Sequence, residues 1–154
     1  MAAPVIGKRI PDVSGDSTAG RWRLQDAGGT TLVLYFYPRD NTSGCTKEGE
    51  AFRDLAAEFR KAKTLVIGVS PDGVASHDRF KQKYRFPFEL LADPEQQVCK
   101  LFDVIREKSM YGKKYLGVVR STFLLDAQGV LRQEWRKVKV DGHAAAVLAA
   151  ARAL

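Results

Sequence analysis

Between the Gly28–Gly29 pair and Pro38 runs TTLVLYFY, residues 30–37, with β-branched and aromatic side chains on both alternating faces. A half-exposed strand would alternate apolar with polar residues. A run that is apolar on both faces needs cover on both, so this segment belongs at the centre of a sheet with layers packed on either side. That constraint selects a layered α/β domain, provided the rest of the chain supplies the flanking helices and neighbouring strands.

The remaining segments supply them. Pro38 ends the strand, and Cys45, Phe52, Leu55, Ala56 and Phe59 then recur at the spacing of one helical face, which puts Cys45 in the first turn, facing the sheet. TLVIGVS (64–70) reads as a second buried strand, SPDG as a turn, and SHDRFKQKY (76–84) as helical. FELLAD (88–93) is a shorter strand, and PEQQVCKLFDV (94–104) predicts a helix with Pro94 in its first turn. STFLLDAQGVLRQEW (121–135) has the form of a hairpin, and DGHAAAVLAAARAL (141–154) closes as an amphipathic helix with Asp141 available as its cap. RWRLQ (21–25) adds an edge strand ahead of the central one. The order β, α, β, α, β, α, β, β, α predicts a mixed sheet, parallel through the crossovers and antiparallel at the hairpin. Without repeats or linkers, 154 residues are expected to form one domain, 1–154.

Charge and composition narrow the function classes. A net charge of +7 would suit a phosphate backbone, but the Lys and Arg are dispersed, and the clusters REKSMYGKK (106–114) and RQEWRKVK (132–139) both contain acids. A solvated surface is the expectation, with no nucleic-acid partner. MAAPVIGKRIPDVSGD lacks the apolar core of a secretory signal and no later run is long enough to span a bilayer, so a soluble cytoplasmic protein without a membrane partner is expected. The two cysteines, 45 and 99, form neither a disulfide framework nor a closely spaced metal site, and no metal or cofactor is expected. His77 and His143 read as surface residues.

Chemistry gathers at LYFYPRDNTSGCTKEGEAFRD. A helix start offers unpaired N–H groups and the positive end of the macrodipole, which favour an anion over a neutral thiol. Thr42, three residues before Cys45, can bring its hydroxyl to the sulfur or to a ligand beside it, Pro38 can shield the site, and Gly44 permits close backbone approach. Spacing alone also admits a cysteine that merely packs at a helix start. Glu48, one turn on, could hold a guanidinium or be an ordinary first-turn acid.

The pattern Pro38, Thr42, Cys45, with VIGVSPD, FELLAD, RSTFLLDAQGV and KVDGHAAAVL in the same order, resembles the peroxiredoxins, most closely their Q type, or bacterioferritin comigratory proteins. The resemblance implies a thioredoxin-like fold, and reduction of hydrogen peroxide and organic hydroperoxides by a cysteine thiolate that becomes a sulfenic acid. It implies that Cys45 is the peroxidatic nucleophile, Thr42 the orienting hydroxyl, Pro38 the shield and Arg120 the active-site arginine, and that the protein is a monomer. Ser43 departs from the proline common there. Glu50 stands where many members carry a resolving cysteine, and the 76–84 segment, where others carry it, has none. Cys99 remains, either as a small semi-buried residue at the margin of its helix or as a resolving thiol. The favoured expectation is a one-cysteine cycle, closed by thioredoxin, glutaredoxin or a small thiol. The absence of a CxxC pair around Cys45 argues against a thiol-disulfide oxidoreductase. No motif supports a Cys and His hydrolase dyad, and no ligand cluster a metal or haem peroxidase.

Overall fold

The computed structural model describes residues 3–154. Its strands are β1 (Ser14–Ser17), β2 (Gly20–Arg23), β3 (Thr31–Phe36), β4 (Thr64–Ser70), β5 (Glu89–Ala92), β6 (Ile105–Met110), β7 (Lys113–Val118), β8 (Ser121–Leu125) and β9 (Leu131–Arg136). Its helices are α1 (Ser43–Asp54), α2 (Ala56–Lys61), α3 (Val74–Tyr84), α4 (Gln97–Leu101) and α5 (His143–Arg152). Seven strands form one sheet in the order β2-β1-β5-β4-β3-β8-β9, while β6 and β7 form a separate ribbon. β3, β4 and β5 run parallel, and β8 and β9 extend the sheet antiparallel, which is the mixed arrangement expected.

Period-2 alternation sends Leu32, Leu34 and Phe36 of β3 into one core, with Phe102, Phe123 and Leu131. Val33, Tyr35 and Tyr37 enter the other, with Phe52, Phe59, Phe80 and Val147. Both faces of the central strand are therefore covered, as its composition requires.

Several elements differ from the sequence reading. The helix expected over 94–104 contracts to Gln97–Leu101, because Gln96 and Asp103 lie in the left-handed region (φ 60° and 56°) and Asp93, not Pro94, organises its start. The Asp93 carboxylate accepts the amides of Val98 at 3.1 Å and Cys99 at 2.8 Å. Asp141 does not cap the last helix. Gly142 takes that position at φ 74°, where glycine carries no steric penalty, and no side chain bonds the helix start. The ribbon β6–β7 replaces what reads as a loose basic cluster; charged residues on both of its faces hide the alternation that would mark strands. RWRLQ forms the outermost strand as far as Arg23, then tightens into a 3-10 turn over Leu24–Ala27.

Candidate active site

β3 delivers the chain to Pro38, which is half-buried, and the backbone then turns through Asn41 (φ 61°) into α1. Thr42 is the extended residue ahead of the helix, at φ −88° and ψ 158°. Its hydroxyl donates to the Arg39 carbonyl at 2.8 Å, which closes the turn and leaves the oxygen's lone pairs free to accept. Cys45 lies in the first turn of α1, 1% exposed, against the Tyr35 and Phe52 face of the sheet.

Arg120 precedes β8, and the pairing of Phe36 with Ser121 sets it at the end of β3. Its Nη1 donates to Glu48 Oε1 at 2.7 Å, and its Nη2 reaches Cys45 Sγ at 3.5 Å. A Cβ on Gly44 would stand 2.9 Å from that same Nη2, so what approaches Gly44 closely is the guanidinium. Gly44, Cys45 and Glu48 thus present one turn of helix to a single cation. Glu48 and the guanidinium form an ion pair across that turn.

The surrounding groups leave that cation dominant. Burial draws Arg120's pKa down, but the charges of Glu48 and Cys45 and the hydrogen bonds they accept more than offset this and hold it above its ordinary value. Burial pushes the Glu48 carboxyl up to about 7 even with Arg120 opposing the shift. Its Oε2 and the Tyr35 hydroxyl are buried without a hydrogen-bond partner among the described residues. Tyr35 is raised well above the usual phenol range by burial, then by Glu48 and Cys45, so it stays neutral. His143, expected at the surface, is buried at the start of α5, with Nε2 sharing a hydrogen bond with the Thr122 hydroxyl at 2.8 Å. Burial, and after it Arg120, push its pKa down to about 4, so it adds no second cation at neutral pH.

His77 also corrects the sequence reading: it is fully buried. Its Nδ1 is 2.7 Å from Asp40 Oδ2, and its Nε2 is 3.1 Å from the Leu91 carbonyl. Asp40 further accepts from the Tyr37 hydroxyl at 2.6 Å and the Ser76 hydroxyl at 2.8 Å, while its amide donates to Asp72 Oδ2 at 2.8 Å. Asp40, Asp72 and His77 have metal-ligand spacing, but their donor atoms are engaged with one another, with hydroxyls and with backbone. What this network does is clamp the loop carrying Thr42 to α3. Helical spacing of His77, Phe80 and Tyr84 was the signal in the sequence that His77 faces inward.

Cys99 lies across the sheet. It belongs to the core of Leu34, Phe36 and Phe102, on the opposite side of β3 from Cys45. It is fully buried, not at a margin, and burial followed by the nearby Asp93 charge pushes its thiol far above the usual range.

Residues 6–134 match the AhpC/TSA family, and the chain belongs to it. A peroxiredoxin Bcp of Xanthomonas campestris pv. campestris is 55% identical over 130 residues, 84% of this chain and 81% of that one. Among solved structures, the bacterioferritin comigratory protein of Xanthomonas campestris, described for its alkyl peroxide reduction activity, superposes with a TM-score of 0.87 at 50% identity, covering 92% of this chain and 90% of that one. A Xylella fastidiosa PrxQ mutant gives a TM-score of 0.93 at 39% identity, over 99% and 98% of the two chains. These likenesses narrow the class: the chain is a peroxiredoxin of the Bcp, or Q, type, with the thioredoxin-like fold and thiol peroxidase chemistry of that group.

Proposed function

We propose that Cys45 carries the peroxidase reaction, on hydrogen peroxide and organic hydroperoxides, in a one-cysteine cycle closed by an external thiol. The observation that carries this reading is the Arg120 guanidinium seated on the first turn of α1, 3.5 Å from Sγ and 2.7 Å from Glu48. Thiolate sulfur attacks one peroxide oxygen; the S–O bond forms as the O–O bond breaks, and the leaving alkoxide or hydroxide takes a proton to become alcohol or water. Negative charge moves from sulfur to the departing oxygen. A fixed cation beside the sulfur and the N–H groups of the helix start stabilise that charge more in the transition state than before it. Thr42, its proton committed to Arg39, can accept from the peroxide hydroxyl and so orient it. Pro38 offers no N–H to compete at the rim.

The resulting sulfenic acid is reduced in two thiol steps. A first thiol forms a mixed disulfide and releases water, and a second displaces the Cys45 thiol as a disulfide leaves. Thioredoxin, glutaredoxin or a small thiol fits this role. Two observations favour an external donor: Glu50 occupies the usual resolving position, and the central sheet stands between Cys45 and Cys99, whereas a disulfide needs Cα atoms within about 7 Å. Among the described residues no helix is long and apolar enough to cross a membrane. The reading extends to a single-domain, cytoplasmic enzyme without a metal or cofactor, and, by resemblance to Q-type proteins, to a monomer. One equivalent of peroxide followed by a sulfenic-acid trap and peptide mapping tests the cycle. A trapped adduct on Cys45 is expected; a dominant Cys45–Cys99 disulfide would sink the one-cysteine route.

A further inference from the structure

The β6–β7 ribbon stands apart from the main sheet and gathers most of the exposed large hydrophobic side chains. Seven large hydrophobic residues are exposed among those described, and four of them, Met110, Tyr111, Tyr115 and Leu116, lie on this one hairpin. Tyr111 is 98% exposed at the apex and sits at φ 52°, beside Gly112 at φ 77°. A two-residue turn of this sense favours Asn or Asp before the glycine, and a bulky residue with positive φ is strained. Strain held for a side chain that makes no core contact points to use at the surface.

Register separates the faces of the ribbon. Lys108 pairs with Tyr115, and Met110 with Lys113, so these four side chains share one face. Neither Lys108 nor Lys113 lies within salt-bridge distance of an acid among the described residues, whereas Arg106 is held by Asp103 and Lys114 by Glu107. Lys108, on this face, stands near the end of the ribbon that leads to the reactive centre. The Lys108 stem lies over Gly117, where a Cβ would meet its Cδ at 3.3 Å, and two residues beyond the end of β7 at Val118 the chain reaches Arg120. Burial, and after it Arg120, lower the Lys108 pKa, while the Cys45 charge raises it, consistent with a place at the rim of the site.

We propose that this face, Met110 and Tyr115 flanked by Lys108 and Lys113, together with Tyr111 at the apex, is the docking surface for a protein dithiol whose own reactive cysteine is ringed by acidic residues. An apolar centre of aromatic and Met side chains with a charged rim is the anatomy of a transient protein interface. The uncompensated lysines select an acidic partner. A second copy of this chain, with a net charge of +7, would bring like charge to like. The inference rests on the one-cysteine cycle, because a sulfur 1% exposed with no thiol on its own side of the sheet must have one delivered to it. The balance is Cys45–SOH plus a protein dithiol giving Cys45–SH, water and the partner's disulfide.

The test uses the full chain and a doubly substituted variant at the apex, Tyr111→Gly with Lys113→Glu, in stopped-flow assays with an acidic thioredoxin or with dithiothreitol as reductant. The variant is expected to lose about tenfold in the second-order rate of reduction by thioredoxin, and most of that rate's salt dependence. Its reaction with peroxide, and its reduction by dithiothreitol, should match the parent. An unchanged thioredoxin rate, or an equal loss with dithiothreitol, overturns the proposal. So does binding of the parent to phosphatidylglycerol vesicles that the variant loses while its thioredoxin rate stays intact, which would assign the face to an anionic lipid surface. Failure of the underlying peroxidase reading would look different: no peroxide turnover by the parent with either reductant.

Discussion

Cys45 and Cys99 are both buried thiols in the first turn of a helix that follows a strand, and β3 contributes wall to both environments. On one face, the Tyr35 and Tyr37 side chains and the Arg120 guanidinium surround the sulfur. On the other, Leu34, Phe36, Phe102 and Phe123 surround it, and the nearest charge is the Asp93 carboxylate that caps α4. Burial alone therefore says little about a cysteine. Both lie at the N-terminal end of a helix, so what differs is the sign of the charge beside each sulfur, a guanidinium in one case and a carboxylate in the other.

The largest expected effect breaks the comparison outright. Cys45→Ser should lower peroxide turnover by roughly 10⁴-fold or more, the scale of losing a covalent nucleophile, whereas Cys99→Ala should retain near-parental turnover and lose about 1 to 2 kcal/mol of stability from a small cavity. Steady-state peroxide consumption and urea unfolding of both variants measure this. The reverse pattern would assign the chemistry to the wrong face.

The next effect isolates the cation. Arg120→Ala should cost about 10²- to 10³-fold in the second-order peroxide rate, as for loss of one preorganised donor to developing charge. It also strands Glu48, already 1% exposed, without its counter-charge. Stopped-flow rates combined with circular dichroism separate the two consequences, and an unchanged rate in a folded variant would remove Arg120 from the chemistry.

The smallest effect sharpens the electrostatics of the Cys45 face through stability. Glu48's folded pKa is raised to about 7, so the folded state binds the extra proton and stability falls as pH rises from about 4.5 to 7. His143's folded pKa is lowered to about 4, so the unfolded state binds the extra proton and stability rises with pH from about 4 to 6.5. Each is worth about 3 kcal/mol at most, by the usual conversion of pKa shifts. In the parent the opposing slopes largely cancel between pH 4.5 and 6.5. Urea midpoints at a series of pH values should rise with pH in Glu48→Gln and fall in His143→Gln; parallel profiles in all three proteins would show that neither group is coupled to folding.

The central strand, its double cover and the placing of Cys45 in the first turn of a helix were legible in the sequence, because hydrophobic periodicity is a local property of consecutive residues. The terminal helix was legible apart from its start. Arg120 was found only by resemblance: 75 positions separate it from Cys45, and no local pattern distinguishes it from other arginines. His77 and His143 were misplaced because each precedes or follows polar residues along the chain, yet each finds its partner, Asp40 or Thr122, from another element. The β6–β7 ribbon was read as basic surface, since a strand solvated on both faces carries no alternation.

The sequence by itself determined a layered α/β chain with a thiol at a helix start beyond a central strand, since strand, turn and helix signals all lie within a few residues of one another. Tertiary structure decided which charges stand around that thiol, that the second thiol lies on the far face, and that α3 clamps the loop through Asp40 and His77. Those outcomes depend on through-space contacts between distant segments, where electrostatics and desolvation act over a few ångströms regardless of separation along the chain.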